Sequence, residues 1–419
     1  MVVSTTTTTT RLTTTRCCQS SNILIAEKME YVTLEEIYEA YYDCRKKKRR
    51  KASAVFFELH YETYLRELHE ELNSMSYTIS TSIAFGVTRP KHREVFAASF
   101  RDRIVHHLLM MKLEPILESE MIDNSYNCRK GKGTECGVNT LAEQIKTVSQ
   151  NYTRKAYVLQ CDLQGFFMSI EPSTLWKMLE KVMKRKWCYD NLDWWLWLIK
   201  MIVTNRPEKN CVIKGNRKII ENLPDNKTLF RSKGKGLPIG NLTSQIFGNY
   251  YLTPFDWWLQ SILPKGYETG RFVDDFYIVG TDRKRMMKTI PAVRQHLKDN
   301  YGLTLHPHKV MITECKKGVK FIGAVIKPWG VYISNRTVGH AFEVAEITNV
   351  EDMNRHMQRL NSYFGFMRHR LTYAIRWRLF NAIPQKVKKK LVCVNMEKFQ
   401  VRCSGDTTKK VALLWNEQR

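Results

Sequence analysis

Arg271-Phe272-Val273-Asp274-Asp275-Phe276-Tyr277-Ile278-Val279-Gly280 is the stretch on which the fold of this chain turns. Two adjacent carboxylates sit inside a run of β-branched and aromatic residues. Burying charge in such a run costs several kcal/mol unless something compensates, and a divalent cation is a good compensator. Neighbouring side chains on a regular strand point to opposite faces. Both aspartates reach one site only if the strand turns there, as at a hairpin tip; otherwise one is a ligand and the other supports it. Taken alone, the pair favours a surface turn with two solvated carboxylates. The rest of the chain reverses that reading.

The 419 residues, 43% of them hydrophobic, suffice for one large core or two to three subdomains. Lys+Arg 67 against Asp+Glu 41 gives a net charge of +26, which implies a polyanionic partner. No apolar run approaches the roughly 18 residues needed to span a bilayer, so nucleic acid is favoured over membrane. The 11 cysteines are scattered without a C-x-x-C pair, as in a cytoplasmic protein with reduced thiols. Cys161 reads as a small buried hydrophobe.

Residues 1–28 hold a threonine-rich tract with no apolar period. They read as disordered or as preceding the true start, which Met29 would supply. Thr33 with Glu36 forms a capping box for a helix carrying Leu34, Ile37, Tyr38, Tyr41 and Tyr42. The run Arg45 to Lys51 suits phosphate contact. A second helix is predicted over 54–74. Ile83 to Val87 reads as a strand that pairs with 89–98, where Lys91 and Arg93 would share a face and hold a triphosphate; a solvated strand face fits that segment equally. A long helix from Phe100 carries His106-His107, read as polar or packed and not as a metal pair. Asn124 to Thr134 mixes Arg129, Lys130 and Lys132 with glycines and suits a nucleic-acid backbone. A helix over about 135–149 follows.

Lys155 to Phe167 reads as a β run leading to Asp162, then a turn and two aromatics. Residues 171–204 read as helical, with their tryptophans used in packing. Lys233 to Gln245 is a glycine-rich basic loop without the G-K-[ST] ending of a P-loop. It leads into one amphipathic helix carrying Ile246, Phe247, Tyr250, Tyr251 and Phe255. A helix over roughly 283–300, a strand near 302–310 and a strand over 319–326 entering a hairpin follow. After about 335, periodic basic-aromatic helices appear, among them Arg355, Arg359, Tyr363, Phe366, Arg368, Arg370, Arg376 and Arg378. They read as a helical subdomain facing a phosphate backbone.

The order of these features carries more than any one of them. A strand aspartate, Asp162, precedes the glycine-rich loop, which precedes Asp274-Asp275. The acids meet only if their strands are neighbours in one sheet, as in a polymerase palm. There, two divalent ions would bridge the carboxylates and an incoming triphosphate. At this point the chain resembles reverse transcriptases over roughly residues 30–380. Phe272-Val273-Asp274-Asp275 matches the family's [YF]-x-Asp-Asp box, Asp162 with Phe166-Phe167 its first palm box, and Phe321-Ile322-Gly323 its primer-grip hairpin. The resemblance implies an α+β right-hand polymerase: fingers and palm over 29–334, a helical thumb over 335–395 and a tail over 396–419.

Pro238-Ile239-Gly240 and Ser244-Gln245 replace the Pro-Gln-Gly and Ser-Pro of most such enzymes. Together with Arg93 to Ala98 and Phe100 to His107, this is similar to the reverse transcriptases of diversity-generating retroelements, relatives of the group II intron enzymes. Those enzymes copy a template RNA into cDNA with errors at adenines, and the cDNA replaces a variable region of target DNA. The resemblance implies two Mg2+ ions on Asp162, Asp274, Asp275 and the Leu163 carbonyl. It also implies deoxynucleoside triphosphates contacted by Lys91, Arg93, Phe167, Ile239, Gly240, Gln245 and Lys309. Phe167 would screen the 2′-hydroxyl. Arg129, Lys130, Lys132, Phe321, Gly323, Arg359 and Arg368 would contact nucleic acid. A small, basic, oligomeric accessory protein and a cytoplasmic setting in a bacterium, archaeon or phage are implied as well. Two alternatives are a faithful retron-like or intron-derived reverse transcriptase and a non-catalytic RNA-binding protein.

Overall fold

The computed structural model describes residues 30–403 apart from positions 47, 49, 50, 89, 90, 371 and 396. The expectations for residues 1–28 and Met29, for Lys47, Arg49 and Arg50 of the basic run, and for the tail beyond 403 lie outside the described residues. The chain opens with helix α1 (Leu34–Arg45), whose capping box forms as the sequence predicts: Glu36 N–H donates to Thr33 Oγ1 at 3.2 Å and Thr33 N–H donates to Glu36 Oε2 at 3.1 Å. The helix expected over 54–74 is two, α2 (Ala52–Glu58) and α3 (Tyr61–Asn73). His60 leaves helical geometry at φ −137° between them. The break lets Phe57 and Leu65 both reach the core while Phe56 and Leu59 stay exposed.

Strands β1 (Ser82–Val87) and β2 (Arg93–Ala97) pair antiparallel, followed by helices α4 (Phe100–Glu118) and α5 (Thr134–Val148). Strand β3 (Tyr157–Leu163) leads through the short α6 (Phe166–Ser169) to α7 (Pro172–Lys186) and α8 (Leu192–Thr204). The helical stretch expected over 171–204 is thus interrupted before Asn191, which sits at φ 59°. Trp194 and Trp195 are buried there, and the Trp194 indole donates to the Leu72 carbonyl, so the tryptophans pack as expected. Strand β4 (Cys211–Ile213) joins β1 in parallel. Next come α9 (Arg217–Glu221), α10 (Leu242–Tyr251) and α11 (Thr253–Ile262). The single helix expected after the glycine-rich loop is therefore two, with Pro254 opening the second.

Strands β5 (Glu268–Phe272) and β6 (Asp275–Gly280), helix α12 (Arg283–Tyr301) and strand β7 (Leu305–Glu314) complete the central sheet. Its order is β5-β6-β3-β7, antiparallel throughout. One face buries Leu159, Cys161, Leu163, Phe276 and Ile278 beneath helices of the main core. The other face packs Val158, Tyr277 and Val279 against α5 and a small sheet. That small sheet is β8 (Val319–Phe321), β9 (Ala324–Lys327) and β10 (Gly330–Ile333).

Helices α13 (Asn335–Ala345), α14 (Met353–Met367), α15 (Tyr373–Ala382) and α16 (Gln385–Lys388) then build a separate apolar cluster around Leu360, Phe364 and Leu379. The cluster also takes in Phe399 and Val401. Strands β11 (Leu391–Asn395) and β12 (Gln400–Cys403) pair there, so the boundary expected at 395/396 falls inside a hairpin. Among the described residues, no helix is long and apolar enough to cross a membrane.

Candidate metal centre and nucleic-acid cleft

The register of β3 against β6 puts Asp162 directly opposite Asp275. Like charges opposite each other on paired strands are destabilising. Asp274 joins them from the turn, where Val273 adopts φ 60°, a left-handed conformation that disfavours a β-branched residue by about 1–3 kcal/mol. The hairpin tip required for both aspartates to reach one site is therefore present. One ligand oxygen from each of Asp162, Asp274 and Asp275 lies within 4.8 Å of the others. Removal of water, then the charge of Asp162, holds the Asp274 carboxyl above its ordinary range. Removal of water, then the charges of Asp274 and Asp162, pushes Asp275 up to about 7. A hard, all-oxygen, charge-strained donor set of this kind fits a divalent cation such as Mg2+. The Leu163 backbone lies at the end of the same strand.

The cations around the acids are partly those expected. Lys309 on β7 forms an ion pair with Asp162 and eases the charge on Asp274 and Asp275. The charge of Lys91 also acts to lower the Asp274 carboxyl. The shared strand face for Lys91 and Arg93 does not form, because Lys91 sits in a bend before β2 and Arg93 is the first strand residue.

Phe167 on α6 packs beside Gly248 of α10. A Cβ at Gly248 would stand 3.0 Å from the Phe167 ring. The glycine-rich loop is tied down on both sides: Leu237 N–H donates to the Phe167 carbonyl at 2.8 Å, and Phe96 N–H to the Ile239 carbonyl at 2.8 Å. Gly240 has φ 127°, and a Cβ there would lie 2.5 Å from the Phe96 carbonyl oxygen. Only glycine allows that approach. The Ile239 side chain is half-buried against the cluster of Ala84, Phe96, Met168 and Leu229. Gln245 is exposed, and its Oε1 accepts from the Cys128 thiol at 3.1 Å.

Several residues expected to touch nucleic acid do other work. Arg129 donates to the Ile122 and Ser125 carbonyls at 2.7 and 3.1 Å, and only 9% of its side chain is exposed; its donors close the loop and leave it little for phosphate. Lys132 leans toward Asp123 at 3.6 Å, whereas Lys130 is exposed. Phe321 is buried, edge-on to Tyr277 at 5.1 Å, because its strand packs that face on the central sheet. Gly323, at the hairpin turn with φ 78°, abuts Phe366 of α14. Arg359 is half-buried and Arg368 is exposed, its Nε on the His369 ring at 3.0 Å. Arg376, read as part of a phosphate-facing surface, is buried and donates to the Glu397 carbonyl at 2.8 Å.

A cleft of about 1080 Å³ separates the small sheet from α13 and α15. Its wall carries Lys317, Lys320, Lys327, Arg336, Arg370 and Arg378 and, among the described residues lining it, no carboxylate. Trp329 projects there, 69% exposed, with the Lys327 ammonium 5.6 Å from its ring. Cations beside an exposed ring suit phosphate and base together.

Sequence reading missed the polar interior behind the acids. Arg271 is fully buried and chelates Asp256, with Nε–Oδ1 at 2.8 Å and Nη2–Oδ2 at 2.6 Å. Burial, opposed by Arg271, holds the Asp256 carboxyl above its ordinary value. The signal was available: an arginine inside an apolar strand needs a carboxylate partner, and Asp256 stands in an equally apolar helix. Glu94, fully buried on β2, accepts from the Leu229 N–H at 2.8 Å and from Thr228. His106 and His107 find separate partners, Thr243 and Asp43, as expected of packed histidines.

The family model described as "Reverse transcriptase (RNA-dependent DNA polymerase)" matches residues 88–326. "Protein YkfC" of Escherichia coli (strain K12) is 23% identical over 264 residues, 56% of this chain and 62% of that protein. "Nuclear intron maturase 1, mitochondrial" of Arabidopsis thaliana is 23% identical over 121 residues, 28% of this chain and 16% of that one. The chain thus spans less than two thirds of either relative. Among solved structures, apo telomerase from Candida tropicalis aligns with TM-score 0.45 and 11% identity, covering 78% of this chain and 62% of that one.

Proposed function

The chain belongs to the reverse transcriptase (RNA-dependent DNA polymerase) family, and from that premise we propose that it polymerises deoxynucleotides on an RNA template. The observation that carries this is the convergence of Asp162, Asp274 and Asp275 on one point at a strand end. These carboxylates would hold two Mg2+ ions, which when bound activate the primer hydroxyl and neutralise the leaving pyrophosphate. The protein's own groups do the rest. Lys91, with Arg93 at the start of β2, would bind the triphosphate; Lys309 would protonate or stabilise pyrophosphate. Phe167, braced on Gly248, shuts out a 2′-hydroxyl. We assign fingers and palm to 29–334 and thumb to 335–403, the β11–β12 hairpin included. Template RNA and nascent cDNA run past Lys130 and the basic cleft. Primer extension on an RNA template tests the reading. Extension by the unaltered protein and none by Asp274→Asn is expected; equal extension by both would remove the metal site.

We further infer an error-prone enzyme of the diversity-generating kind, which copies template adenines inaccurately and feeds the cDNA into a variable target gene. Ile239 supports this: its side chain meets an apolar cluster and offers no hydrogen bond to a nascent base pair. Weaker bracing narrows the penalty for a mismatch, where about 1.4 kcal/mol is a factor of ten. Sequencing the cDNA decides. Errors concentrated at template adenines and reduced in Ile239→Gln are expected; a low, even error spectrum would leave a faithful reverse transcriptase. A small, basic, oligomeric accessory protein belongs to the same proposal, and co-purification from the native host tests it.

A further inference from the structure

We infer that Arg271, oriented by Asp256, is a positioning residue for the metal centre: its guanidinium clamps the turn from which Asp274 reaches Asp162 and Asp275. The inference rests on reading those three acids as a metal site. All five guanidinium N–H donors have partners. Nε donates to Asp256; Nη2 donates to Asp256 Oδ2 and to the Asn249 carbonyl at 3.0 Å. Nη1 donates to Asn249 Oδ1 at 2.9 Å and to the Val273 carbonyl at 3.0 Å. The last bond is the informative one. Val273 is the left-handed residue of the turn, and its carbonyl is fixed from below by a side chain two residues back.

Folding alone does not call for this arrangement. A buried ion pair is often replaceable by well-packed apolar side chains of similar volume without loss of stability. Apolar side chains cannot hold the Val273 carbonyl. The same buried centre reaches further. The Arg271 backbone pairs with Asn124 and Tyr126, and Asn249 Oδ1 also accepts from Ser125 Oγ at 3.0 Å. Asn249 lies one helical turn beyond Gln245, which contacts Cys128. One arginine therefore joins the acid turn, α10 and the segment 124–126.

The test compares the full chain with Arg271→Met/Asp256→Leu, which removes both charges together, and with Arg271→Lys, which keeps the charge but loses the fork. Three quantities are measured: Mn2+ binding by electron paramagnetic resonance, thermal unfolding without metal, and metal-free affinity for an RNA–DNA template–primer. The expected result is Mn2+ affinity lower by about 10- to 100-fold, the range for residues that orient metal ligands, with template–primer affinity unchanged. Adding Val273→Gly, which adopts the left-handed turn unaided, should recover at least about threefold of it. Unchanged Mn2+ affinity in either Arg271 variant, or no recovery with Val273→Gly, would overturn the inference. Arg271→Lys carries the test if the double variant does not fold. Asp274→Asn is the control: if it binds Mn2+ normally, the metal-site reading fails, independently of Arg271.

Discussion

Asp162 and Asp275 stand opposite each other on paired strands with Asp274 beside them, an arrangement that costs stability whenever no cation screens it. Asp275→Asn should therefore raise the thermal stability of the metal-free protein by about 0.2–1 kcal/mol while lowering primer extension by about three orders of magnitude. Calorimetry and single-turnover extension on the same preparation check the two halves. His106 gives a second prediction. It is buried on Thr243, and desolvation holds its imidazole down, at about 4. An unfolded histidine titrates near 6.5, so between those values the unfolded chain binds the extra proton. Stability is full above about 6.5 and falls as pH drops, by about 2 kcal/mol at pH 5. His106→Gln should flatten that acid limb in denaturant melts. The flattening is partial, because burial also lowers His107.

At the scale of elements, the glycine-rich loop is a strap between β2 and α6. The Phe96–Ile239 and Leu237–Phe167 backbone bonds fix it, and Gly240 lies too close to the Phe96 carbonyl for any side chain. Gly240→Ala should cost about 1–3 kcal/mol in thermal melts and lower deoxynucleotide affinity through displacement of the loop. Helix α10 sets the other wall, with Gly248 against the Phe167 ring. Phe167→Ala should raise ribonucleotide incorporation at least about tenfold, read from alkali-sensitive sites in the product. Sequence reading located this loop and its aromatic. It did not foresee that the loop's isoleucine leans on the Ala84–Phe96 cluster, because the chain partner, β2, lies far upstream.

At the scale of the molecule, the excess charge of +26 meets a structural counterpart in the cleft between the small sheet and the C-terminal helices. Lys317→Glu/Lys320→Glu should weaken template–primer binding. It should also reduce the slope of log affinity against log salt by about 0.7–0.9 for each lost phosphate contact. Fluorescence anisotropy over a salt series measures both. Arg370 closes one end of the cleft by pairing with Glu135 at the start of α5, so the C-terminal helices are tied to the central unit through a charge pair.

Motif order by itself singled out the three acids, the need for their strands to be neighbours in one sheet, the glycine-rich basic loop and the cationic surplus of the chain. Local chemistry supplies part of this: two adjacent strand acids reach one site only across a turn, and a cationic excess implies a polyanion, while the acid far upstream turns the pair from a solvated turn into half of a metal site. Only the tertiary structure decided which charges are spent on the fold and which stay exposed. Arg129 and Arg376 have the same composition signal as Lys130 and Arg368, yet the first two spend their donors on carbonyls of their own chain. Phe321 turned inward because β8 packs on Tyr277. Arg271, inside the very stretch that decides the fold, is buried because Asp256, 15 residues upstream on another element, stands against it. A long flexible cation is solvated or buried according to partners far away in sequence, and one-dimensional spacing carries no record of them.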